Sequence, residues 1–415
     1  MIERITILGG SSVYTPELVL SFISHNVNVK EIVLFGRPGP KLQIVGKFCQ
    51  RLVKKSGFPA TVSTSTEIKE AVTGARYIIN HVRVGGMAAR VRDEKAPPRQ
   101  GMIGDESLGA GGFANAMRTL PVVLDLAHKI EEANPEAVFI NLTNPMGVIV
   151  EALTKHTKLN VLGVCDLPGT TVKQLASVLR HEPGDLHVDY IGLNHFGWIQ
   201  DVKIDGRSHM SRLLERLEHH EEDGFDYSII ELFRMIPVRT VSLFFHQDEI
   251  LKRQQACARF RAEVLHEAEK QILRLYQDDS LHEIPELTRA RNAVWYEETI
   301  VPLIIGMEKN KELETILCVR NNGAIRDLPD DCSVEIPVEV SKKGTKPRKV
   351  GSTPRFIRGT FIALKESDRL TLEAVRHKSY DCALQALTIN PLVPSYDAAK
   401  KFLDKLVRDE HLELH

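Results

Sequence analysis

Ile5-Thr6-Ile7-Leu8-Gly9-Gly10-Ser11-Ser12-Val13-Tyr14-Thr15-Pro16-Glu17-Leu18 stands almost at the start of the chain. An apolar run breaks at two glycines and two serines, and a helical pattern follows, with Pro16 in its first turn. Glycines placed directly after a first strand let the backbone approach a pyrophosphate, whose charge the N-terminal end of the next helix stabilises. Gly9 and Gly10 are therefore candidate cofactor contacts, and Ser11, Ser12 and Thr15 offer hydroxyl donors. The turn is short of a full G-x-G-x-x-G, and a Gly-Gly-Ser turn is often only a turn. Its place as the first turn of a βα unit favours a dinucleotide.

Outward from this turn, apolar runs recur at Ile32 to Phe35, Tyr77 to Ile79, Ala137 to Ile140 and Val161 to Val164. Between them, Val122, Val123, Leu126 and Ile130 repeat at helical spacing up to Asn134-Pro135. Strands alternating with helices predict an α/β, Rossmann-like doubly wound parallel sheet over residues 1–168. Beyond about residue 170, long amphipathic helices mix with strands, which predicts an α+β domain over 169–415. The charge runs Glu218 to Asp223 and Lys342 to Lys349 read as solvated loops. Glu335 to Val340 alternates charged and apolar residues and reads as a half-buried strand, with Pro337 placing it at an edge.

Composition narrows the function classes. The 415 residues carry 54 Lys and Arg against 55 Asp and Glu, so no surplus of positive charge is available for a general nucleic-acid partner. With 43% hydrophobic residues, long disordered tails are not expected. No signal peptide is evident at Met1-Ile2-Glu3-Arg4, and no run of apolar residues reaches the length of a membrane span. The six cysteines include no CxxC, which fits a reducing, cytoplasmic compartment.

A dinucleotide site usually carries an acid at the end of the second strand, to bind the ribose 2′-hydroxyl. Here that strand ends in Leu34-Phe35-Gly36-Arg37-Pro38. Either Arg37 is the counter-charge of a 2′-phosphate, or it is an ordinary loop residue and the adenosine is held loosely.

Further segments stand in a telling order: Arg83-Val84-Gly85-Gly86 with Arg90, Gly104-Asp105-Glu106-Ser107 with Gly109-Ala110-Gly111-Gly112-Phe113, and Asn141-Leu142-Thr143-Asn144-Pro145-Met146-Gly147. Cys165-Asp166-Leu167-Pro168, Gly192-Leu193-Asn194-His195-Phe196-Gly197-Trp198 and Arg320-Asn321-Asn322-Gly323-Ala324-Ile325 complete the set. Together with the Gly-Gly-Ser turn they resemble glycoside hydrolase family 4, the NAD- and metal-dependent glycosidases, and within it the 6-phospho-glucosidases. The resemblance implies NAD, with NADP as the alternative, and Mn2+ or another divalent metal. It also implies a phosphorylated disaccharide or glucoside as substrate and a homodimer or homotetramer.

The implied reaction is hydrolysis without net redox. Hydride leaves C3 of the sugar for the dinucleotide, a base takes the C2 proton, the aglycone leaves C1, water adds, and C3 is reduced again. This family is among the exceptions to two-carboxylate glycoside hydrolysis. By resemblance, Cys165 and His195 are the metal ligands, a thiolate and an imidazole that leave positions for substrate hydroxyls. Asp166 is the candidate acid for the leaving oxygen, because α-acting members carry Asp there and β-acting members Asn. The less favoured reading is a strand-end Asp that caps the following helix. Asn141 falls to the cofactor, and Glu106, Asn144 and Asn194 to the sugar and nicotinamide. Arg90 and Arg291 fall to the substrate and its phosphate, where paired guanidinium donors suit an anion.

Two departures stand out. The family's Tyr base, in a Pro-x-x-Tyr segment, is matched by Thr240 in Pro237-Val238-Arg239-Thr240. A lone threonine hydroxyl is a poor base, so either the match slips along the chain, or another residue such as His246 or Tyr296 serves, or elimination is slow. Asn292 and Ala293 replace two family glycines beside Arg291. An NAD(P)-dependent sugar-phosphate oxidoreductase and a non-catalytic sensor of dinucleotide and sugar phosphate therefore stand as alternatives.

Overall fold

The computed structural model describes all residues except 219–223, 292, 294–295 and 310–312. Most of the acidic run ending at Asp223, and Asn292 beside Arg291, thus lie outside the described residues. Thirteen described strands form one sheet: β1 (Ile2–Leu8), β2 (Val29–Phe35), β3 (Thr61–Ser65), β4 (Ala75–Asn80), β5 (Val138–Asn141), β6 (Asn160–Gly163), β7 (His187–Leu193), β8 (Phe196–Ile204), β9 (Arg207–Ser208), β10 (Ile236–Pro237), β11 (Leu313–Arg320), β12 (Ser333–Ser341) and β13 (Gly344–Pro347).

The first six run parallel in the order β3-β2-β1-β4-β5-β6. That is the doubly wound order, whose reversal between β1 and β4 opens a crevice at the carboxyl ends of those strands. Parallel strands covered on both faces read as near-continuous apolar runs, and Ile5, Ile7, Leu8, Ile32, Leu34, Ile78 and Ile79 are fully buried or nearly so. β3 is the edge exception. Its Thr-Val-Ser-Thr-Ser carries one apolar residue and escapes a search for apolar runs.

The C-terminal half continues the same sheet. β11 meets β6 antiparallel, with Cys318 opposite Gly163; β12 pairs along β11; and β7 meets β12 with Gly192 opposite Glu335. A single apolar core runs from Ile5 through Tyr190 and Trp198 to Phe361. A second cluster packs Phe113, Ala114 and Met117 of the helix Gly109–Ala133 against Phe402 and Leu403 of the helix Tyr396–Asp409. No helix among the described residues is long and apolar enough to cross a membrane.

Three expectations about this half are corrected. The strand around Pro337 is internal, flanked by β11 on one side and by β7 and β13 on the other. Pro337 is tolerated because the missing donor faces the side where β13 ends: its carbonyl there accepts from the Arg348 amide at 2.9 Å. Nor is this strand half-buried, since Ser333 to Val338 are all buried and Glu335 is 1% exposed. The basic run is not purely a loop either. It contains β13, and Arg348 bonds both Glu314 (3.0 Å) and Asp189 (2.9 Å).

Candidate active site

A cavity of about 1280 Å³ opens at the carboxyl ends of the parallel strands. Its dinucleotide-like end is made largely of backbone. Gly9 has φ 79°, and a Cβ there would stand 3.0 Å from His81 O and Val82 N, so the first turn presses on the chain leaving β4. Ser11, Ser12, Gly36, Arg37 and Lys41 continue this wall. Gly10 and Thr15 lie beneath it. Gly10 packs on Leu34 and donates its amide to Phe35 O at 2.8 Å. Thr15 is fully buried, with Oγ1 3.4 Å from His81 Nε2.

The opposite end is made of charged side chains. Gly111 and Gly112 let the start of their helix press on the preceding loop: a Cβ at Gly111 would stand 2.2 Å from Asp105 O, and one at Gly112 2.4 Å from Ser107 C. Asp105 accepts from the Ser107 and Leu108 amides at 2.7 and 3.0 Å and fixes the turn. Glu106 is thereby held against Arg83 and Arg90, the latter at 3.0 Å. Arg90 also bonds Glu94 at 2.7 Å. Burial by itself would raise the Glu106 carboxyl, but Arg83 and Arg90 bring it down to about 2. Arg261 gathers here as well: burial, then Arg90 and Arg239 nearby, lower its hold on its proton.

Cys165 caps the helix Asp166–Leu179 and lines the cavity with Asp166, its Sγ 3.8 Å from Asp166 Oδ1. Burial, then the charges of Glu335 and Asp166, push the thiol well above its ordinary range. His195 lines the same cavity from the β7–β8 turn, in the left-handed region at φ 65°. A non-glycine residue held there costs about 1 kcal/mol or more and persists only where its surroundings impose it. Thr240 Oγ1 donates to the His195 carbonyl at 2.8 Å. His195 Nδ1 is buried without a hydrogen-bond partner among the described residues. Two residues lining one cavity, one a thiol and the other carrying an orphaned ring nitrogen, fit a divalent metal. Among the described residues no three His, Cys, Asp or Glu side chains converge as a closed cage, so other positions would fall to substrate or water.

Of the remaining expected residues, Asn144 lines the cavity with its Oδ1 buried and without a partner among the described residues. Arg291 also lines it, its guanidinium 4.7 Å from the Tyr14 ring centre and its charge reaching Glu106 as well. Two do not reach the wall. Asn141 is fully buried, joined to Asn80 (2.8 Å) and Thr143 O (3.0 Å). Asn194 donates to Glu335 Oε1 at 3.0 Å, where Tyr190 also bonds Glu335 Oε2 at 2.5 Å. Burial pushes Glu335 up to about 7 against these two hydrogen bonds.

His246 is engaged with Asp226 at 2.8 Å and is not part of the wall, whereas Tyr296 is. The Tyr296 hydroxyl lies 3.4 Å from His81 Nδ1, and burial pushes its pKa up to about 12. Lost hydration, with Arg291 and Arg83 nearby, holds His81 down to about 3. Sequence reasoning did not single out His81, Asp105, Arg239 or Arg261 as site residues. Asp105 and Arg239 lie inside segments that signalled the site and His81 stands just before one, while Arg261 had no signal beyond charge.

Residues 4–181 match the family 4 glycosyl hydrolase domain, and residues 190–393 match the family 4 glycosyl hydrolase C-terminal domain. The chain belongs to glycosyl hydrolase family 4. A relative in this family, a probable 6-phospho-beta-glucosidase of Bacillus subtilis, is 34% identical over 97% of this chain and 95% of its own length. The Thermotoga maritima 6-phospho-beta-glucosidase, solved with manganese, NAD+ and glucose-6-phosphate, superposes with a TM-score of 0.90. It is 30% identical, over 99% of this chain and 100% of that one. A 6-phospho-alpha-glucosidase from gut microorganisms, in complex with NAD and glucose-6-phosphate, gives a TM-score of 0.89 at 29% identity, with both chains fully covered. The family 4 frame thus holds members named for either anomer.

Proposed function

We propose that this family 4 chain hydrolyses 6-phospho-glucosides, with the α-linkage favoured. The observation that carries the proposal is the single cavity joining the Gly9 turn to Cys165, Asp166 and His195, with several arginines along its wall. When bound, NAD would supply reversible hydride transfer at C3 of the sugar, and a divalent metal, Mn2+ by analogy with the relatives, would supply Lewis acidity at the C3 oxygen. Cys165 and His195 would hold that metal. Asp166, beside Cys165, is placed to hold a proton for the leaving oxygen, and the preference for the α-anomer rests on this carboxyl. Glu106 and Asn144 would orient the sugar through its hydroxyls. Cations from both halves of the chain, Arg90 and Arg291 among them, would hold the phosphate. A cytoplasmic homodimer or homotetramer is the expected setting.

The test pairs α- and β-nitrophenyl glucoside 6-phosphates with NAD, with and without Mn2+, in wild type and Cys165→Ser. Release of nitrophenol that needs both the dinucleotide and the metal, faster for the α-anomer, is the expected result. Hydrolysis surviving cofactor removal and loss of the thiol together refutes the mechanism; a faster β-anomer refutes the role of Asp166 alone. A binding-only role is favoured by one observation, that Thr240 spends its hydroxyl on the His195 carbonyl. It predicts ligand-induced thermal stabilisation without turnover. Net accumulation of NADH would instead point to an oxidoreductase.

A further inference from the structure

We infer that the adenosine end of the cavity is a seat for a 2′-phosphate, so that NADP+ binds this chain more tightly than NAD+. The inference rests on the dinucleotide part of the proposed function and goes beyond the NAD found with the relatives. At the end of β2, where an NAD site places an acid for the ribose hydroxyls, this chain has Gly36. The space is tight: a Cβ at Gly36 would stand 3.2 Å from Leu42 Cδ1 and 3.6 Å from Ser11 Cβ, so a side chain there would need the buried Leu42 methyl to shift by a few tenths of an ångström.

The next residue, Arg37, lines the cavity and is exposed, and no ion pair or hydrogen bond of its side chain is found among the described residues. Lys41 adds a second cation on the same rim, and the carboxylate facing it, Glu269, is already paired with it. Ser11, also on this rim, offers a neutral donor. An uncommitted guanidinium, a hydroxyl and no unpaired carboxylate suit a phosphate dianion better than a ribose diol.

Equilibrium binding of NAD+ and NADP+, and of 5′-AMP and 2′,5′-ADP, to the intact protein tests this without depending on turnover. The expected result is about tenfold tighter binding of each 2′-phosphorylated ligand, the size of one charge-assisted contact, narrowing as salt rises. Arg37→Ala, a change at an exposed position, should bring each pair close to equality while moving the NAD+ affinity by less than about twofold. Wild type binding NAD+ as tightly as NADP+ or more tightly overturns the inference and leaves the proposed function standing. So does an Arg37→Ala protein that keeps the tenfold preference. Binding of neither dinucleotide overturns both readings.

Discussion

The two ends of the cavity are built from different materials. At the dinucleotide end, a positive-φ glycine, a strand terminus and a chain segment that leaves no room for a Cβ on Gly9 make a surface chiefly of backbone, contributed within the first 82 residues. At the sugar end, Glu106 is wedged between Arg83 and Arg90, Cys165 and His195 come from different segments, and Arg261 and Arg291 come from the far half of the chain. A backbone surface tolerates changes of side chain but not an added methyl group. A surface made of opposed charges has the reverse sensitivity: its shape survives an isosteric change that its energetics do not.

The largest effect expected from breaking the sugar end is catalytic. Cys165→Ser should reduce nitrophenol release roughly a thousandfold at saturating substrate and Mn2+, because Lewis-acid stabilisation is worth several kcal/mol. The fold should be nearly untouched, which a thermal melt without metal would check. Next in size is Glu106→Gln, which keeps the shape but leaves Arg83 and Arg90 facing each other in a buried place. A drop of about 3 kcal/mol in unfolding free energy is expected, since removing one partner of a buried pair strands the others.

That loss carries a pH signature. The Glu106 carboxyl lies at about 2 in the folded chain, against an ordinary value of 4.5. A depressed carboxylate contributes fully above its unfolded pKa and loses that contribution as pH falls towards its folded pKa; a shift of this size is worth about 3 kcal/mol. The gap in urea midpoint between wild type and Glu106→Gln should therefore be flat above about pH 5 and narrow between about 4.5 and 2. A gap that stays constant down to the lowest measurable pH would show that the Glu106 charge is not what holds the two arginines.

The same contrast decides how much could be read before the fold was known. The parallel half was legible because strand, turn and helix follow one another in the chain, and buried parallel strands declare themselves as apolar runs. β3 was not, because an edge strand with a single valine has no such run. Pro337 misled because the rule against proline inside a sheet concerns an acceptor left unmet by the missing N–H, and a neighbouring strand that stops at Pro347 leaves none unmet. Glu335 misled in another way. Its alternation with apolar neighbours suggested an exposed face, but Tyr190 and Asn194 satisfy it inside the core, and partners 145 and 141 residues away leave no local trace. Motif resemblance nominated Asn141 and Asn194 for ligand contacts, yet both are spent on neighbouring chain. Nothing in a motif distinguishes a side chain that touches a ligand from one that supports the segment beside it.

At the dinucleotide end the smaller disruption is a methyl group. Gly9→Ala adds a Cβ 3.0 Å from backbone atoms that cannot swing aside, at φ 79°. A stability loss of about 1–2 kcal/mol is expected, with dinucleotide affinity falling about tenfold. Urea denaturation and nucleotide titration on the same variant would check both. Equal loss of NAD+ and NADP+ affinity would separate this backbone effect from that of Arg37.

The smallest expected change tests where the two materials meet. Thr240 holds the His195 carbonyl, so it acts on a strained turn that carries a metal ligand. Thr240→Val keeps the volume and removes one hydrogen bond worth about 1 kcal/mol. The Mn2+ concentration for half-maximal activity should rise about fivefold, with kcat at saturating Mn2+ changing less than about threefold and Thr240→Ser restoring both. Were Thr240 itself the group that takes the C2 proton, kcat would fall a hundredfold or more at any metal concentration, the usual size of a lost general base. The split between metal requirement and turnover therefore decides whether the residue in the family's Tyr position does chemistry or only holds His195 in place.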